Sequence, residues 1–500
     1  MAEDQLVTTS ASFPILPGAS LGPFVLGANL RDVLTIAKSD KSKFPKLEVY
    51  YSSVKPLTTV VVVSLPSNGL RLQFDGPNQL LRLIEVTELD KIKLLYKGSE
   101  LLKTSSGVVQ SKGPPFRKVY SLFGPSYPGE YLPPSDGSGI GTYVLSWQGV
   151  AFNFPLQHSA WSPKKDHVAL LSSNIAPPAS NMALFEGSSW AEARRDLFTK
   201  PIQGPRSYSS VRENKDCLPG EIEKAQVDLT NGTITLVRYA PHGAFTIVPQ
   251  QTTPQDLITE LGAPETTHAP QERTAKSERE DSKPRTRSIS AGRPHIGSVP
   301  SSYSSTGTET FDADFDNLNL EPDPADRAAR DRWWNYYNHG MDILVGLPSG
   351  NTMSNGENDS HATPLSQSPH AVVLRVVIHG NVPGSYTFNR HRRLRWTFTL
   401  PEGQITSEQN FDRHVKPHLV QYFANGREEA EMMRGKVVNR TWSVNEPTDS
   451  SFFLLEGDQD ITEEDSNNEQ WLGNTKLYAF ATRLQVEVLA NSCIAALTVS

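Results

Sequence analysis

Apolar and polar residues alternate in two runs joined by a short polar segment, in the sequence GLRLQFDGPNQLLRLIEV at residues 69–86. In the first run Leu70, Leu72 and Phe74 alternate with polar side chains, which predicts a strand with one buried face and one solvent-exposed face. The polar segment DGPN, residues 75–78, is rich in residues that favour tight turns. The pattern therefore predicts a β-hairpin with a turn, and no chemical site, at its tip.

The segment before this hairpin predicts a helix followed by two more strands. Asn29 is placed to cap a short helix over residues 30–37, with Asp32 in its first turn. Residues 47–51 and 58–65 are β-branched or aromatic runs typical of strands. The predicted unit is a helix followed by an antiparallel meander.

The same order of elements recurs along the chain. A second helix is predicted at 116–123, ending at Gly124-Pro125, and a third at 257–261, capped by Thr253. The strands expected to follow them lie at 143–147, 150–154 and 167–171, then at 333–337, 341–345 and 372–378. A last hairpin begins at Arg483, and the run QVDLTNGTITLVRY at 226–239 predicts a further hairpin with Asn231-Gly232 as a two-residue turn. The expected fold class is α+β: strand-rich tandem units of one helix plus an antiparallel β-meander.

Composition adds inserts to this architecture. Only 37% of the 500 residues are hydrophobic, and the chain has 34 glycines and 37 prolines, which indicates ordered domains diluted by unfolded segments. Residues 265–327, rich in charge, Ser and Pro, are predicted to be a disordered insert, and 349–368 a disordered loop. The expected domains are 15–175 for the N-terminal repeats, and 176–264 with 328–500 for the C-terminal repeats.

Charge, hydropathy and cysteine usage narrow the class of protein. The net charge of −7 gives no global field for nucleic acid. The longest aliphatic run, around residues 60–63, is too short to span a bilayer, and the first residues lack a secretory signal pattern. The two cysteines, Cys217 and Cys493, are far apart and lack metal-ligand spacing. A reducing cytosol is the expected location.

A search for catalytic motifs predicts no enzyme, no cofactor and no metal site. The glycines of DGSGIGTY, residues 136–143, precede a strand, whereas a dinucleotide loop must precede a helix. Ser126 follows a predicted helix and lacks the spacing of a nucleophile elbow. His414 and His418 have the spacing of a helical metal pair, but Pro417 lies between them and no third ligand is near in sequence.

The strongest charged feature is FNRHRRLRW at residues 388–396. One hypothesis is that it binds phosphate groups of lipid headgroups or nucleic acid through guanidinium contacts. The residues of this hypothesis are Arg390, His391, Arg392, Arg393 and Arg395. The alternation of the segment favours another interpretation, a solvated strand face with Leu394, Trp396 and Phe398 turned inward.

A second possible regulatory feature lies in the predicted insert. The string RTRSIS places Arg285 and Arg287 three residues before Ser288 and Ser290. Basic-directed kinases favour that spacing, and phosphorylation there would switch the local charge. Such strings also arise by chance in disordered segments.

Five ordered blocks resemble the phagosome assembly factor family. The longest, residues 49–96, resembles the N-terminal signature of the family, and FVLGANLRDVL from Phe24 resembles its opening. The others are LFGPSYPGEY, QDLITELGAPE, WWNYYNHGMDILV and IHGNVPGSYTFNRH. The resemblance covers about 15–265 and 332–400, with an echo in the final hairpin, and the insert and RRLRW depart from it.

The resemblance implies a non-enzymatic autophagy factor. Such a protein would be cytoplasmic, recruited to the phagophore or preautophagosomal structure, and would work as a scaffold in a heteromeric complex with a WD40 β-propeller partner. The partner would recognise phosphoinositides, so membrane contact would be indirect, and neither nucleic acid nor a small-molecule substrate is expected. Two alternatives remain: an anionic-lipid-binding module that uses the basic strand directly, and an unrecognised hydrolase.

Overall fold

The fold is described from a computed structural model of the chain. The structure describes residues 12–269, 331–348, 370–400, 403–423, 432–439, 453–456 and 474–500, apart from short gaps at 103, 106–107, 110–111, 135–138, 173–175, 202–203, 216–217, 219 and 482. Every structural statement below refers to this described part of the chain.

The helices are short. They are α1 (Leu30–Ser39), α2 (Phe116–Phe123), α3 (His167–Leu171), α4 (Trp190–Ala193), α5 (Tyr208–Arg212), α6 (Pro254–Leu261) and α7 (Lys416–Phe423). Of these, α1, α4, α5 and α6 begin at a residue whose side chain caps the first turn. The Asn29 side chain accepts a hydrogen bond from the Arg31 amide at the start of α1, at 3.2 Å. Thr253 and Asp256 form a reciprocal capping box at the start of α6. Both predicted caps are confirmed.

The strands of the first half of the chain are, in order, β1 (Ser12–Leu16), β2 (Ser20–Leu21), β3 (Phe24–Val25), β4 (Glu48–Tyr51), β5 (Val61–Leu65), β6 (Leu70–Phe74), β7 (Leu81–Val86), β8 (Lys93–Tyr96), β9 (Ser99–Glu100), β10 (Thr104–Ser105), β11 (Val108–Val109), β12 (Glu130–Leu132), β13 (Ile140–Trp147), β14 (Val150–Gln157) and β15 (Asn181–Phe185). Those of the second half are β16 (Ile222–Asp228), β17 (Thr233–Arg238), β18 (Phe245–Ile247), β19 (Thr266–His268), β20 (Arg332–Tyr336), β21 (Met341–Gly346), β22 (Val372–His379), β23 (Trp396–Leu400), β24 (Gly403–Thr406), β25 (Lys436–Asn439), β26 (Phe453–Glu456), β27 (Asn474–Phe480), β28 (Leu484–Val488) and β29 (Ile494–Val499). The prediction of a strand-rich chain built on antiparallel pairing is confirmed.

The large N-terminal sheet has nine strands in the order β12-β13-β14-β15-β7-β6-β5-β4-β26. Strands β4 to β7 pair consecutively and antiparallel, as do β12 to β15, and the two runs meet where β15 pairs with β7. The hairpin predicted at 69–86 is the β6–β7 pair, with Leu72 opposite Ile84. The last strand in the order, β26, reaches this sheet from late in the chain and pairs parallel with β4.

The large C-terminal sheet has eight strands in the order β19-β20-β21-β22-β29-β28-β27-β25. Its two antiparallel runs meet where β22 pairs with β29, so Ile378 lies opposite Leu497. Two five-stranded sheets accompany the large ones, in the orders β3-β2-β1-β8-β9 and β18-β17-β16-β23-β24, and β10 pairs with β11.

Two local predictions were wrong. Residues 167–171 were expected to form a strand beside β14, but they form α3, and β15 takes that place. Five apolar residues are too few to distinguish a strand from a buried helical turn by periodicity. The 226–239 hairpin exists, but its connection has four residues because Asp228 pairs with Thr233. The Asp228 side chain accepts from the Thr230 amide at 2.8 Å and so favours the longer turn.

The predicted inserts lie mostly outside the described residues, including all of 349–368. The described start of the 265–327 segment is ordered: Thr266–His268 forms β19 and pairs with β20. The division of the chain into the predicted domains stays a prediction.

The buried apolar residues form two large clusters. The N-terminal core draws its buried residues from Phe13 to Leu184, and the C-terminal core draws its own from Ala225 to Val499. A small cluster of Leu57, Val382, Leu489 and Ala495 contains residues from both halves. The described part of the chain contains no helix of sufficient length and hydropathy to cross a membrane.

Candidate functional site at the joint between the two cores

The basic segment of the sequence lies where the two cores meet. We call residues 390–395 the arginine segment and the contacts between it and the N-terminal half the joint. Arg392 forms a fork on Asp32 of α1, with Nη2 and Nε donating to the two carboxylate oxygens at 2.7 and 3.1 Å. It also pairs with Glu221. A planar guanidinium suits such a two-carboxylate site because it donates in two directions at once.

Arg393 is fully buried, with 0% of its side chain exposed. Its Nε donates to the Pro77 carbonyl at 2.7 Å and its Nη1 to the Gly380 carbonyl at 2.6 Å. Its Nη2 lies 3.0 Å from the Glu408 carboxylate. All three guanidinium nitrogens therefore have acceptors, as a buried charge requires.

The remaining arginines are more accessible. Arg395 donates to Glu408 at 2.8 Å and to the Asn78 side chain at 3.0 Å, and its side chain is 36% exposed. Arg390 is exposed, and its backbone carbonyl accepts from Arg31 Nε at 2.9 Å. The phosphate-binding role of the segment stays a prediction. Arg392 and Arg393 already pair with carboxylates of the chain, namely those of Asp32, Glu221 and Glu408, at the positions where a phosphate group would bind.

Together with α1, the DGPN turn of the first hairpin supplies the N-terminal contacts of the joint. Its Pro77 and Asn78 accept from the arginine segment, and the next residue, Gln79, exchanges two hydrogen bonds of 2.8 Å with Asn381. Both Gln79 and Asn381 are buried. The tip carries no reactive group, but it is a structural contact that the hairpin pattern did not reveal.

Burial and ion pairing shift the pKa values of the joint. Burial opposes ionisation of Glu408, but Arg393 and Arg395 outweigh it and lower the pKa of Glu408 to about 2. At Glu221 burial dominates over the attraction of Arg392 and raises the pKa of that carboxyl. The arginines therefore stabilise the charged carboxylates of the joint, while exclusion of water opposes them.

A second polar cluster lies beside the joint on the large C-terminal sheet. The Asp342 carboxylate on β21 lies 2.8 Å from Nε2 of His379 and 2.8 Å from Nε2 of His391. The two imidazole rings stack with centroids 3.8 Å apart and an interplanar angle of 13°. In the described part of the chain, this is the cluster of three or more His, Cys, Asp or Glu groups that could hold a metal ion.

The sequence did not reveal this cluster, because its three members are separated by 37 and 12 positions along the chain. Of the three, only His391 was among the predicted site residues, as part of the basic segment. Among the described residues, neither His414 nor His418 belongs to such a cluster. His418 Nδ1 lies 2.6 Å from the His414 carbonyl oxygen. Ser288, Ser290 and Cys217 lie outside the described residues.

The outermost strand of the large N-terminal sheet exposes apolar side chains. Leu132 of β12 is 43% exposed and Ile140 of β13 is 53% exposed. Leu132 pairs with Thr142, two residues from Ile140, so Leu132 and Ile140 lie on one face of the sheet. On the other face Tyr131 stacks on Trp161 at 4.7 Å. We call these four residues the β12 edge.

The architecture defines a class before any comparison: a strand-rich chain of antiparallel sheets around two cores, with an exposed sheet edge. The sequence model of one family, described as Phagosome assembly factor 1, matches residues 20–287 and 319–500. The chain belongs to this family.

Named relatives agree with the assignment. The PHAF1 protein At3g51130 of Arabidopsis thaliana is 24% identical over 406 residues, which cover 80% of this chain and 77% of the relative. The PHAF1 protein CG7083 of Drosophila melanogaster is 30% identical over 36% of this chain and 40% of the relative. The PHAF1 protein T01G9.2 of Caenorhabditis elegans is 31% identical over 29% of this chain and 32% of the relative. No solved structure matches the chain.

Proposed function

We propose that the chain is a non-enzymatic adaptor in autophagosome formation that acts in a heteromeric complex with a WD40 β-propeller partner. The partner recognises phosphoinositides and brings the complex to the phagophore, while this chain resides in the cytoplasm. Membership of the Phagosome assembly factor 1 family supports the assembly role.

The exposed β12 edge is the observation that carries the proposal. In the described part of the large sheet, β12 has a strand neighbour on one side only. An unpaired edge offers backbone donors and acceptors to a strand of another protein, and flanking apolar side chains add specificity. Leu132 and Ile140 on one face, and the Tyr131–Trp161 stack on the other, flank this edge. Because the strand edges of a β-propeller are short and protected, we expect an extended loop segment of the propeller to pair with β12.

Affinity purification with designed variants tests the proposal. The double variant Leu132→Asp with Ile140→Asp places charge on two exposed positions and leaves both cores intact. We expect the tagged wild-type chain to recover a β-propeller protein in a molar amount close to its own. The variant should recover at least about tenfold less of that protein. The recovered propeller, purified alone, must then bind the wild-type chain directly.

A matched control distinguishes binding at this surface from non-specific hydrophobic association. Ile258 on α6 is also 43% exposed but lies in the C-terminal half, so Ile258→Asp should retain the partner. Equal loss in both variants, or retention in both, would remove the β12 edge from the proposal. Absence of any β-propeller from wild-type purifications would contradict the adaptor role itself.

Direct binding of anionic lipid is the second candidate function. It is supported by the exposure of Arg390 and the partial exposure of Arg395, two guanidinium groups on one short segment. The substitutions Arg390→Gln with Arg395→Gln leave Arg392 and Arg393 in place. If the purified chain floats with phosphoinositide vesicles and this variant does not, direct lipid binding replaces the adaptor proposal.

The hydrolase alternative has weaker support. It would rest on the imidazoles of His379 and His391, but their Nε2 atoms contact Asp342 and their Nδ1 atoms have no hydrogen-bond partner among the described residues. Neither imidazole is therefore placed to activate a hydroxyl or thiol nucleophile.

The repeated unit of the adaptor is, in our proposal, one helix followed by a four-stranded meander. The order of elements supports four such units: α1 precedes β4 to β7, α2 precedes β12 to β15, α6 precedes β19 to β22, and α7 precedes the strands that end at β29. Units that join through their last strands place their first strands outermost. Three of these, β12, β19 and β25, are edges of the described sheets, where partners can bind, whereas β26 pairs with the fourth, β4.

A further inference from the structure

Three strands of the large C-terminal sheet bring a set of metal-binding side chains to one face. Asn335 of β20 pairs with Asp342 of β21, so their side chains point the same way. Asp342 pairs with Val377, and His379 lies two residues further along β22, again on that face. His391 enters from the arginine segment and stacks on His379. The backbone thus assembles a carboxylate and two imidazoles from distant positions.

The distances between these groups are close to those around a bound ion. Each Nε2 lies 2.8 Å from its own oxygen of the Asp342 carboxylate, Oδ2 for His379 and Oδ1 for His391. Donors bound tetrahedrally to Zn²⁺ at about 2.1 Å lie roughly 3.4 Å from one another. Outward shifts of about half an ångström would therefore admit an ion with four donor atoms, two carboxylate oxygens and two imidazole nitrogens.

The environment of the cluster favours a cation. His391 is 2% exposed and His379 is 8% exposed, so water has little access to either ring and would compete little with the ligands. A carboxylate beside two imidazoles is a suitable ligand set for a late first-row divalent cation.

An ion bound at the two Nε2 atoms would take the place of the protons in their contacts with the carboxylate. Each ring would then carry its proton on Nδ1, and neither Nδ1 atom has a hydrogen-bond partner among the described residues. Asn335 Nδ2 donates to Asp342 Oδ1 at 2.6 Å and would orient the carboxylate from outside the ligand set.

We infer that Asp342, His379 and His391 form a binding site for a late first-row divalent cation, with Zn²⁺ as the expected ion. The role of the ion would be structural, because it would link His391 of the arginine segment to Asp342 of β21 and His379 of β22, next to the joint. The site is separate from the β12 edge, so this inference and the proposed adaptor function can fail independently.

Metal titration of the full chain tests the inference. The chain is stripped with EDTA, exchanged into metal-free buffer, titrated with Zn²⁺ and dialysed, and bound metal is measured by elemental analysis. We expect the wild-type chain to retain about one Zn²⁺ and His391→Gln and Asp342→Asn to bind at least about tenfold more weakly. Co²⁺ should give the strong visible absorption of a four-coordinate site in the wild-type chain.

Two control variants address other histidines. His339 is buried against the Leu261 carbonyl, with Nε2 3.2 Å from that oxygen, and His414 lies before α7. His339→Gln and His414→Gln should retain Zn²⁺ as the wild-type chain does. Circular dichroism of each metal-free variant establishes that it is folded, and the wild-type measurement stands even if a cluster variant fails to fold.

Three results would overturn the inference. They are a wild-type chain that retains no Zn²⁺ after dialysis, cluster variants that bind it as tightly as the wild-type chain, and a Co²⁺ spectrum that stays that of the aqueous ion. In each case the cluster is a hydrogen-bonded triad only.

Discussion

At the residue scale, Arg393 shows how the joint accommodates buried charge. Its guanidinium has acceptors from two backbone carbonyls and from Glu408, and its side chain is excluded from solvent. Removing one partner of such a pair leaves the other charge buried and uncompensated, which costs more than the pair contributes. The joint therefore tolerates replacement of a whole ion pair better than loss of one partner.

Substitution of Arg393 tests this view. We expect Arg393→Met to lower the free energy of unfolding by about 3–5 kcal/mol, because Glu408 keeps only the more exposed Arg395 as a partner and two backbone carbonyls lose their donor. Arg71→Met is the control, since Arg71 is 50% exposed and 4.0 Å from Glu85, and it should cost less than about 1 kcal/mol. Denaturant unfolding measures both, and equal losses would contradict the structural role of Arg393.

The pH dependence of stability should report Glu408. Its folded-state pKa of about 2 lies below the unfolded value of about 4.3, so the folded chain binds fewer protons in this window. The stabilisation is complete above the unfolded pKa and is lost as the pH falls through the folded pKa. We expect Glu408→Gln to flatten the fall in stability between about pH 5 and pH 3, as measured by denaturant midpoints. Glu88→Gln, in an exposed pair with Lys91, should leave that slope as in the wild-type chain.

Sequence patterns revealed the residue types of the joint but not their partners. Alternation correctly placed Leu394, Trp396 and Phe398 in the core. It also suggested that the neighbouring arginines face water, and this was wrong for Arg393, which directly precedes Leu394 and is buried. Its acceptor Pro77 lies 316 positions away, and Asp32 lies 360 positions from Arg392. Contacts at such separations depend on the whole fold, so no local spacing encodes them.

At the element scale, hairpins and caps carry most of the predictable structure. Strict alternation located β6 and β7, and Thr253 located the start of α6, because both signals act over a few neighbouring residues. The short run that became α3 has no comparable period. No residue of the β12 edge was predicted from the sequence, because the exposure of a strand depends on which other strands pair with it in the folded sheet.

The two ends of β13 give a matched pair of glycine tests, with Gly139 before the strand and Gly149 in the turn after it. Gly149 and Gly139 share a φ of +73°, but a Cβ on Gly149 would lie 2.2 Å from the Gly18 backbone nitrogen, whereas one on Gly139 would meet nothing within 4 Å. We expect Gly139→Ala to cost about 1 kcal/mol through backbone strain alone. Gly149→Ala should cost at least about 1–3 kcal/mol more, because the β1–β2 turn must move. Equal unfolding midpoints for the two variants would contradict the close approach of these turns.

At the scale of the whole molecule, the two cores are joined by mixed contacts. The apolar part consists of Leu57 against Val382, Leu489 and Ala495. The polar part consists of the Gln79–Asn381 pair and the arginine segment, and Asn491 Nδ2 adds a hydrogen bond of 2.6 Å to the Ser53 carbonyl. These contacts should couple the unfolding of the cores.

Calorimetry of a joint variant tests this coupling. Asn381→Ala removes the hydrogen bond from Asn381 Nδ2 to the buried Gln79 Oε1 and the one that Asn381 Oδ1 accepts from the Asn389 amide, at a cost of about 1–3 kcal/mol per unsatisfied group. We expect the wild-type chain to unfold in one transition and the double variant Asn381→Ala with Arg393→Met to unfold in two. A single transition in that variant, or two in the wild-type chain, would contradict coupling through the joint.

The adaptor proposal makes its most direct prediction in a vesicle flotation assay with purified components. Because the proposal assigns the phosphoinositide site to the β-propeller partner, the chain alone should stay at the bottom of the gradient with phosphoinositide vesicles. With the partner added, the wild-type chain should float, and Leu132→Asp with Ile140→Asp should stay behind while the partner floats. Flotation of the chain without any partner would contradict the account.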